Sequence, residues 1–287
     1  MIFFKRKQCA LEDYTENMLP QTRKAVFFDV LKLHWKRLLL LGLLMLVFCL
    51  PLILTCVIEQ LVFLESSSYE STQEELLCLL SNQSNIFALI KIPCFVIAFV
   101  CIAGIIKVIR QYAWEENVFF ACDFSSGIKS NSLYMVFVGA IIGLMNLVAS
   151  FCSNQVGFAE DNLQSIMLYL PLLFFVLIVI PLTMYMTVCI SIYGVKLGTL
   201  IRMGVILFVK RPFQTYLAIL CCLPLFTLIF IPNMICNIVG YLITPVIFPV
   251  FLLGWYLFVL NGLDSSINRE YYPDLIGRGI SKSEGDS

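Results

Sequence analysis

Residues 38–58 read LLLLGLLMLVFCLPLILTCVI, a run without a charged side chain. The hydrocarbon core of a bilayer, about 30 Å thick, is spanned by about 20 apolar residues in a helix. Five further apolar runs follow, at 86–109, 132–152, 166–190, 215–236 and 238–262. The sequence therefore predicts an all-α polytopic membrane protein whose domain of six transmembrane helices covers residues 38–262.

Composition supports this class and excludes others. Of the 287 residues, 60% are hydrophobic and 13% are charged, whereas soluble domains contain about 45–50% apolar and about 25% charged residues. The 19 basic residues are balanced by 19 acidic residues, so a nucleic-acid-binding protein with a strongly basic face is not expected. A transmembrane β-barrel is excluded because its strands alternate polar and apolar residues.

The basic residues predict the orientation of the helices. Lys and Arg concentrate in cytoplasmic loops, and 18 of the 19 basic residues fall on one side of the predicted bundle. That side includes the N-terminal segment 1–37, with eight of them, and the tail 263–287, with three. We therefore expect a membrane protein with both termini in the cytoplasm.

Three cytoplasmic segments have the pattern of amphipathic interfacial helices. They precede the first, third and fifth spans, at residues 27–35, 120–128 and 197–208. In each, apolar residues recur at helical spacing and basic residues lie nearby, which is typical of helices lying at a membrane surface. These segments either set the depth of the bundle in the membrane or begin three repeated units, each an amphipathic helix followed by a transmembrane hairpin.

One stretch carries a more specific signal. Residues 103–131 read AGIIKVIRQYAWEENVFFACDFSSGIKSN. This stretch resembles the signature of the YesL-like family of bacterial integral membrane proteins, a domain family of unknown function. After the small pair Ala103-Gly104, the matching positions are Arg110, Tyr112, Glu115, Glu116, Phe119, Asp123, Phe124, Lys129 and Asn131.

The match is that of a divergent member. Trp114, Asn117 and Ala121 stand where the family often has Arg, His and Trp. Members are often associated with carbohydrate importers of the ABC type in Gram-positive bacteria, so the resemblance implies an ABC permease as a partner. No catalytic residue is established for the family, and the resemblance therefore implies none here.

The signature is typical of a corner where a helix leaves the membrane. Arg110 would extend to lipid phosphates at the end of the second span. Glu115, Glu116 and Asp123 would lie near the start of the next helix, where the helix dipole favours anions. Alternatively, Asp123 would pair with Arg110 or with another cytoplasmic basic residue. The corner is either structural or a docking surface for a partner protein.

Lys91 is the basic residue that departs from the charge pattern. It lies within the second predicted span, about five residues from its outer end. A charge inside a span is a functional hypothesis by default, but this one is close enough to the end to reach the membrane surface. Lys91 is either an anchor, paired with Glu59 or Glu65, or part of a transport site.

Motifs for catalysis and cofactor binding are absent from the sequence. The single histidine, His34, cannot build a histidine-rich zinc site, and there is no H-E-x-x-H motif. No G-x-S-x-G, P-loop or G-x-G-x-x-G motif occurs. We therefore expect no enzymatic activity, no metal or other cofactor, and no ATP binding by this chain.

Two functions remain. The first is a non-catalytic accessory or scaffold protein that binds another membrane protein, such as an ABC permease. The alternative is a small stand-alone transporter or channel, favoured by eight prolines within the predicted spans, because broken helices often line transport sites. The scarcity of charged and polar residues in the spans disfavours this alternative.

The predicted orientation can be tested with fusions. A reporter that is active only outside the cytoplasm should stay inactive when fused after Ser287, because the tail is expected to be cytoplasmic. The same reporter inserted after Gln73 should be active. Activity of the Ser287 fusion would contradict the orientation.

Overall fold

The computed structural model describes residues 19–66, 73–156, 161–220 and 234–281. Within these ranges the chain is helical and contains no strand. The principal helices are α1 (Arg23–Ser66), α2 (Gln73–Ala113), α3 (Phe120–Gln155), α4 (Asn162–Ile192), α5 (Leu197–Lys210), α6 (Pro212–Leu220) and α7 (Met234–Tyr271). The predicted all-α class is confirmed for this part of the chain.

Five of these helices, α1, α2, α3, α4 and α7, are long and apolar enough to cross a membrane. Helices α5 and α6 also qualify when taken together, but they meet at an angle of 90°. Such lengths and compositions indicate a polytopic membrane protein. Most of the predicted span 215–236, with the tight turn expected near residue 233, lies outside the described residues.

The helices extend well beyond the predicted spans. Helix α1 has 44 residues, which corresponds to about 66 Å at 1.5 Å per residue. The segment 59–85, between the first two predicted spans, is helical in its larger part, because α1 continues to Ser66 and α2 begins at Gln73. Polar contacts stabilise this extension: the Gln83 amide donates to the Ser66 hydroxyl at 2.9 Å, and the Asn154 amide to Asn85 at 3.1 Å.

The three predicted interfacial segments take two different forms. Segments 27–35 and 120–128 are the first turns of α1 and α3, and a break in helical geometry at His34 separates the first segment from the rest of α1. Only segment 197–208 forms a separate helix, α5, with Leu200 and Leu207 buried. Segment 120–128 is thus continuous with the rest of α3, whereas segment 27–35 is set off from the rest of α1 by the break.

Glycines set the distance between α2 and α3. A Cβ atom on Gly104 would lie 2.6 Å from the Phe124 ring, and one on Gly127 would lie 2.8 Å from the Ala103 carbonyl oxygen. Gly139 and Gly143 contact the same helix farther along, near Val96 and Ile92. Small residues let membrane helices approach closely, and van der Waals packing then stabilises the pair.

Helix α7 packs along α1 and against α4. A Cβ on Gly42 would overlap the Val246 carbonyl oxygen, so α1 and α7 are in direct backbone contact at that point. The Trp255 indole donates to the Met184 carbonyl of α4 at 2.9 Å. Tyr256, next to Trp255, is fully buried. Helix α7 thus packs against both α1 and α4 and holds them in one bundle.

Residues 272–281, here called the strap, return from α7 to the beginning of the chain. The Ser281 N–H donates to the Pro20 carbonyl at 3.1 Å. Arg23 forms an ion pair with Asp264 at 2.8 Å and donates to the Arg278 carbonyl. Both ends of the described chain therefore lie at one end of the bundle, here called the strap end.

Gly279 allows the strap to contact the end of α2. Its φ of +78° is unfavourable for other residues, and a Cβ there would overlap the Ala113 carbonyl oxygen. Gly277 has a similar φ of +68°, but a Cβ there would contact only the flexible Ile280 side chain at 3.7 Å. The two glycines therefore differ in the space around them and not in backbone conformation.

We predict different stability losses at these two glycines. Gly277→Ala should cost about 1 kcal/mol for the left-handed conformation alone. Gly279→Ala should cost about 3 kcal/mol, because the added methyl group must also displace the backbone of α2. Thermal unfolding of the purified protein in detergent measures both, and equal losses would contradict the strap contact.

Candidate functional site

The corner between α2 and α3 begins with a tight turn. The Glu116 N–H donates to the Gln111 carbonyl at 2.9 Å, and the Glu115 N–H donates to the Tyr112 carbonyl at 3.3 Å. This pair of bonds is a Schellman motif, which normally places glycine in the left-handed position. Here Glu115 occupies that position, with φ +56°. Residues other than glycine rarely adopt this backbone conformation.

The start of α3 completes the corner. The Asp123 carboxylate accepts a hydrogen bond from the Phe119 N–H at 2.6 Å. This bond satisfies a backbone donor that the helix itself leaves free, and the negative charge lies at the favourable end of the helix dipole. The expected position of Asp123 near the helix start is confirmed, and its alternative pairing with Arg110 does not occur.

A cleft of about 430 Å³ opens between this corner and the first turns of α1. We call it the corner cleft. Charged and polar side chains form much of its wall, together with three aliphatic ones. Its lining residues are Asp29, Val30, Leu33, His34, Arg37, Tyr112, Glu115, Glu116, Asn117 and Val118.

The charges in the corner cleft are unequal. Three carboxylates, of Asp29, Glu115 and Glu116, face one guanidinium, of Arg37. Burial, and secondarily the negative charge of Asp29, raise the pKa of Glu115 above its ordinary value. Within the described residues none of the three carboxylates forms an ion pair. The cleft therefore has an excess of uncompensated negative charge.

Tyr112 forms the floor of the corner cleft. Its side chain is 3% exposed, and its ring stacks on His34 with centroids 4.6 Å apart. Its hydroxyl is buried and makes no hydrogen bond of normal geometry, although Arg37 lies beside it. A buried polar group in this state can bond to a ligand at little cost.

Arg110 faces the bundle, so its expected contact with lipid phosphates is not observed. Its guanidinium donates to the Ser191 carbonyl at 2.8 Å and stacks on the Trp114 ring at 4.9 Å. Arg278 of the strap covers Trp114 at 5.1 Å. Trp114 therefore joins α2 to the strap through two cation–π contacts, which favour arginine over the ring face.

The remaining signature residues are dispersed. Phe124 packs against Gly104 in the α2–α3 contact, and Asn131 is buried farther along α3. Phe119 is 63% exposed, and Lys129 is exposed. Of the nine predicted residues, the structure brings only Tyr112, Glu115 and Glu116 together in the corner cleft.

Sequence reasoning missed the α1 side of the cleft. Asp29 and His34 lie within segment 27–35, which the sequence predicts to be an amphipathic helix, and Arg37 follows that segment. In the structure all three line the cleft, and α1 departs from helical geometry at His34, with φ −122° and ψ 16°. The signal that could have identified them is their position directly before the first span, opposite the exit of the second.

Lys91 forms an ion pair with Glu59 at 2.5 Å, and the two side chains are mostly buried. Of the two partners expected, Glu59 is therefore the one present. Lys91 also lines a second space of about 350 Å³, which we call the inner cavity. The inner cavity is lined by Met45, Cys49, Leu52, Ile53, Cys56, Lys91, Phe95, Asn146, Tyr241, Thr244, Pro245 and Phe248.

The corner cleft offers charge and hydrogen bonding. Its lining contains no serine, threonine, cysteine or lysine that could act as a nucleophile. Across residues 19–66, 73–156, 161–220 and 234–281, no three His, Cys, Asp or Glu side chains converge as a metal ion requires. The arrangement is suited to binding a positively charged group at the carboxylates.

Comparison with protein-family models, with characterised proteins and with solved structures yields no match to this chain.

We predict that Glu115→Gln stabilises the protein at pH 8 and not at pH 4. Because the folded-state pKa is raised, the charged carboxylate disfavours the folded state, and wild-type stability falls as the pH rises above about 4.3, the ordinary glutamate value. Thermal midpoints across this pH range measure the difference between variant and wild type.

Two further variants separate the causes. Asp29→Asn should reduce the pH dependence of the wild type, because it removes the neighbouring negative charge. Glu115→Gly should add a gain at every pH, because glycine relieves the positive φ. A Glu115→Gln gain of equal size at pH 4 and pH 8 would show that ionisation of Glu115 is not its cause.

Proposed function

We propose that this chain is a non-catalytic accessory protein of a bacterial plasma membrane that holds another membrane protein at its corner cleft. The observation that carries the proposal is the cleft itself, in which three carboxylates lie without an ion pair among the described residues. A partner segment with a lysine or arginine side chain would supply the missing charge. Complementary charges give such contacts their specificity and speed of association.

The orientation required by this proposal has two supports. Eighteen of 19 basic residues fall on the predicted cytoplasmic side, and the hydrogen bond between Ser281 and Pro20 brings the described ends together. Ends at the same side imply an even number of crossings, and we propose six. The corner cleft lies at that end, so the partner segment would be a cytoplasmic one.

The rigidity of the corner also favours a docking role. Three sets of contacts hold the wall of the cleft in place. They are the Schellman turn, the Asp123 cap, and the stacking of Arg110 and Arg278 on Trp114. A surface that is already ordered loses little conformational entropy when a partner binds. By the resemblance of residues 103–131 to the YesL-like signature, we propose an ABC permease of a carbohydrate importer as this partner.

A small transporter is the second candidate. Its support is the inner cavity, where Lys91 and Asn146 lie among otherwise apolar helices. Helix α4 also contains a π-helical turn at Phe175–Val179 between Pro171 and Pro181, and such irregular turns are frequent at functional sites. The ion pair between Lys91 and Glu59 weighs against this candidate, because Glu59 already balances the charge that Lys91 would use to bind a transported ion.

Site-specific crosslinking tests the accessory function. A photoactivatable amino acid at Asn117, in the cleft wall, should crosslink to a membrane protein in native membranes, and mass spectrometry would identify it. The matched control is Leu163, exposed at the start of α4. The substitution Glu116→Lys should reduce the yield of the Asn117 crosslink about tenfold, which corresponds to a loss of about 1.4 kcal/mol of binding free energy. The control substitution Asp161→Lys should leave that yield unchanged.

The accessory function would be contradicted if Asn117 gave no product above the Leu163 control. A product whose yield is the same in the Glu116→Lys and Asp161→Lys variants would contradict the role of the cleft carboxylates. Uptake of a solute into liposomes by the purified protein alone would favour the transporter.

A further inference from the structure

The inner cavity lies between four spanning helices, α1, α2, α3 and α7. Most of its wall is apolar, with Met45, Ile53 and Phe248 among the residues that form it. We propose that this cavity binds a neutral single-chain lipid, such as a monoacylglycerol. The hydrocarbon chain would lie against the apolar wall, and an uncharged hydroxyl or ester group would bond to polar atoms of α3 and α7.

Thr244 supplies the first of these polar atoms. Threonine hydroxyls inside helices commonly donate to a carbonyl one turn earlier, and in this chain Thr55 and Thr183 do so at 2.7 and 2.9 Å. The Thr244 hydroxyl is buried and has no hydrogen-bond partner. A ligand hydroxyl or ester oxygen in the cavity would satisfy it.

The prolines of α7 add acceptors on the same helix. Pro245 has no N–H to donate to the Tyr241 carbonyl, and Pro249 has none for the Pro245 carbonyl. Unsatisfied backbone groups are costly in a membrane unless a neighbour or a ligand bonds to them. The side-chain amide of Asn146 also lines the cavity. It can donate a hydrogen bond to a polar head group, and the two carbonyls can accept one from it.

Charge selects a neutral head group. Lys91 at the cavity wall is paired with Glu59, so its positive charge is already balanced. An anionic head would have to displace Glu59, and a cationic head would have to displace Lys91. Breaking a buried ion pair leaves one charge uncompensated, which is strongly unfavourable.

The extent of the cavity suits an extended chain. Its lining on α1 runs from Met45 to Cys56, a distance of about 16 Å along a helix. Both residues lie inside the predicted span 38–58, so the cavity is at the depth of the lipid hydrocarbon. A single acyl chain from the bilayer matches this depth and polarity, and this inference does not depend on the function proposed for the corner cleft.

Photolabelling of the full-length protein in phosphatidylcholine nanodiscs tests this proposal. A monoacylglycerol with a diazirine in its chain should label peptides containing residues 45–56 and 241–248, as located by mass spectrometry. Ile53→Phe should reduce this labelling about fourfold, because the larger side chain takes the space of about one buried methylene group, worth about 0.8 kcal/mol.

Two matched variants control the experiment. Leu54→Phe makes the same change one residue farther along, at a side chain that is 57% exposed, and should leave the labelling unchanged. Thr244→Val removes the hydroxyl with little change of shape. It should reduce labelling by the monoacylglycerol probe, leave labelling by a diazirine alkane unchanged, and not lower the thermal midpoint of the ligand-free protein.

The outcomes that overturn the proposal are distinct. Equal labelling of Ile53→Phe and Leu54→Phe would show that the lipid does not occupy the cavity. A photoactivatable fatty acid of the same length that labels as strongly would show that the cavity does not select a neutral head. An unchanged monoacylglycerol signal in Thr244→Val would remove the polar contact.

Discussion

The close approach of α2 and α3 is the constraint on which the rest of the structure depends. In a bilayer the lipid tails are as apolar as leucine, so helices associate through contact area and not through exclusion of water. Gly104, Gly127, Gly139 and Gly143 allow that contact along most of the hairpin. The hairpin in turn fixes the corner and supplies two walls of the inner cavity.

The same packing gives a physical meaning to the resemblance of residues 103–131 to a family signature. Gly104 and Phe124 pack against each other, and only a glycine at position 104 leaves space for the Phe124 ring. Asp123 satisfies the backbone at the start of α3, and Arg110 fastens α2 to the end of α4. Much of this stretch thus maintains a corner of defined shape, and Tyr112, Glu115 and Glu116 are the residues of it that line the corner cleft.

The spanning helices could be predicted because the membrane imposes a uniform apolar composition on them. The continuation of α1 to Ser66 and the start of α2 at Gln73 could not be predicted, because this stretch is mixed in polarity and has no uniform apolar pattern. The turn at Glu115 escaped prediction because the sequence has no glycine there to mark a left-handed residue. The corner cleft could not be predicted either, because it is formed by residues of α1 and of the α2–α3 corner that are about 80 positions apart in the sequence.

The strap has a consequence for the order in which the protein is assembled. In the strap, Gly279 contacts Ala113 and Arg278 stacks on Trp114. Both contacts lie near the end of α2, although the strap follows α7 in the chain. The contact between the strap and the end of α2 can therefore form only after α7 and the strap have been synthesised. A chain stalled earlier would have its initial helices in place but would leave Trp114 uncovered by Arg278, so this contact distinguishes chains that contain the strap from shorter ones.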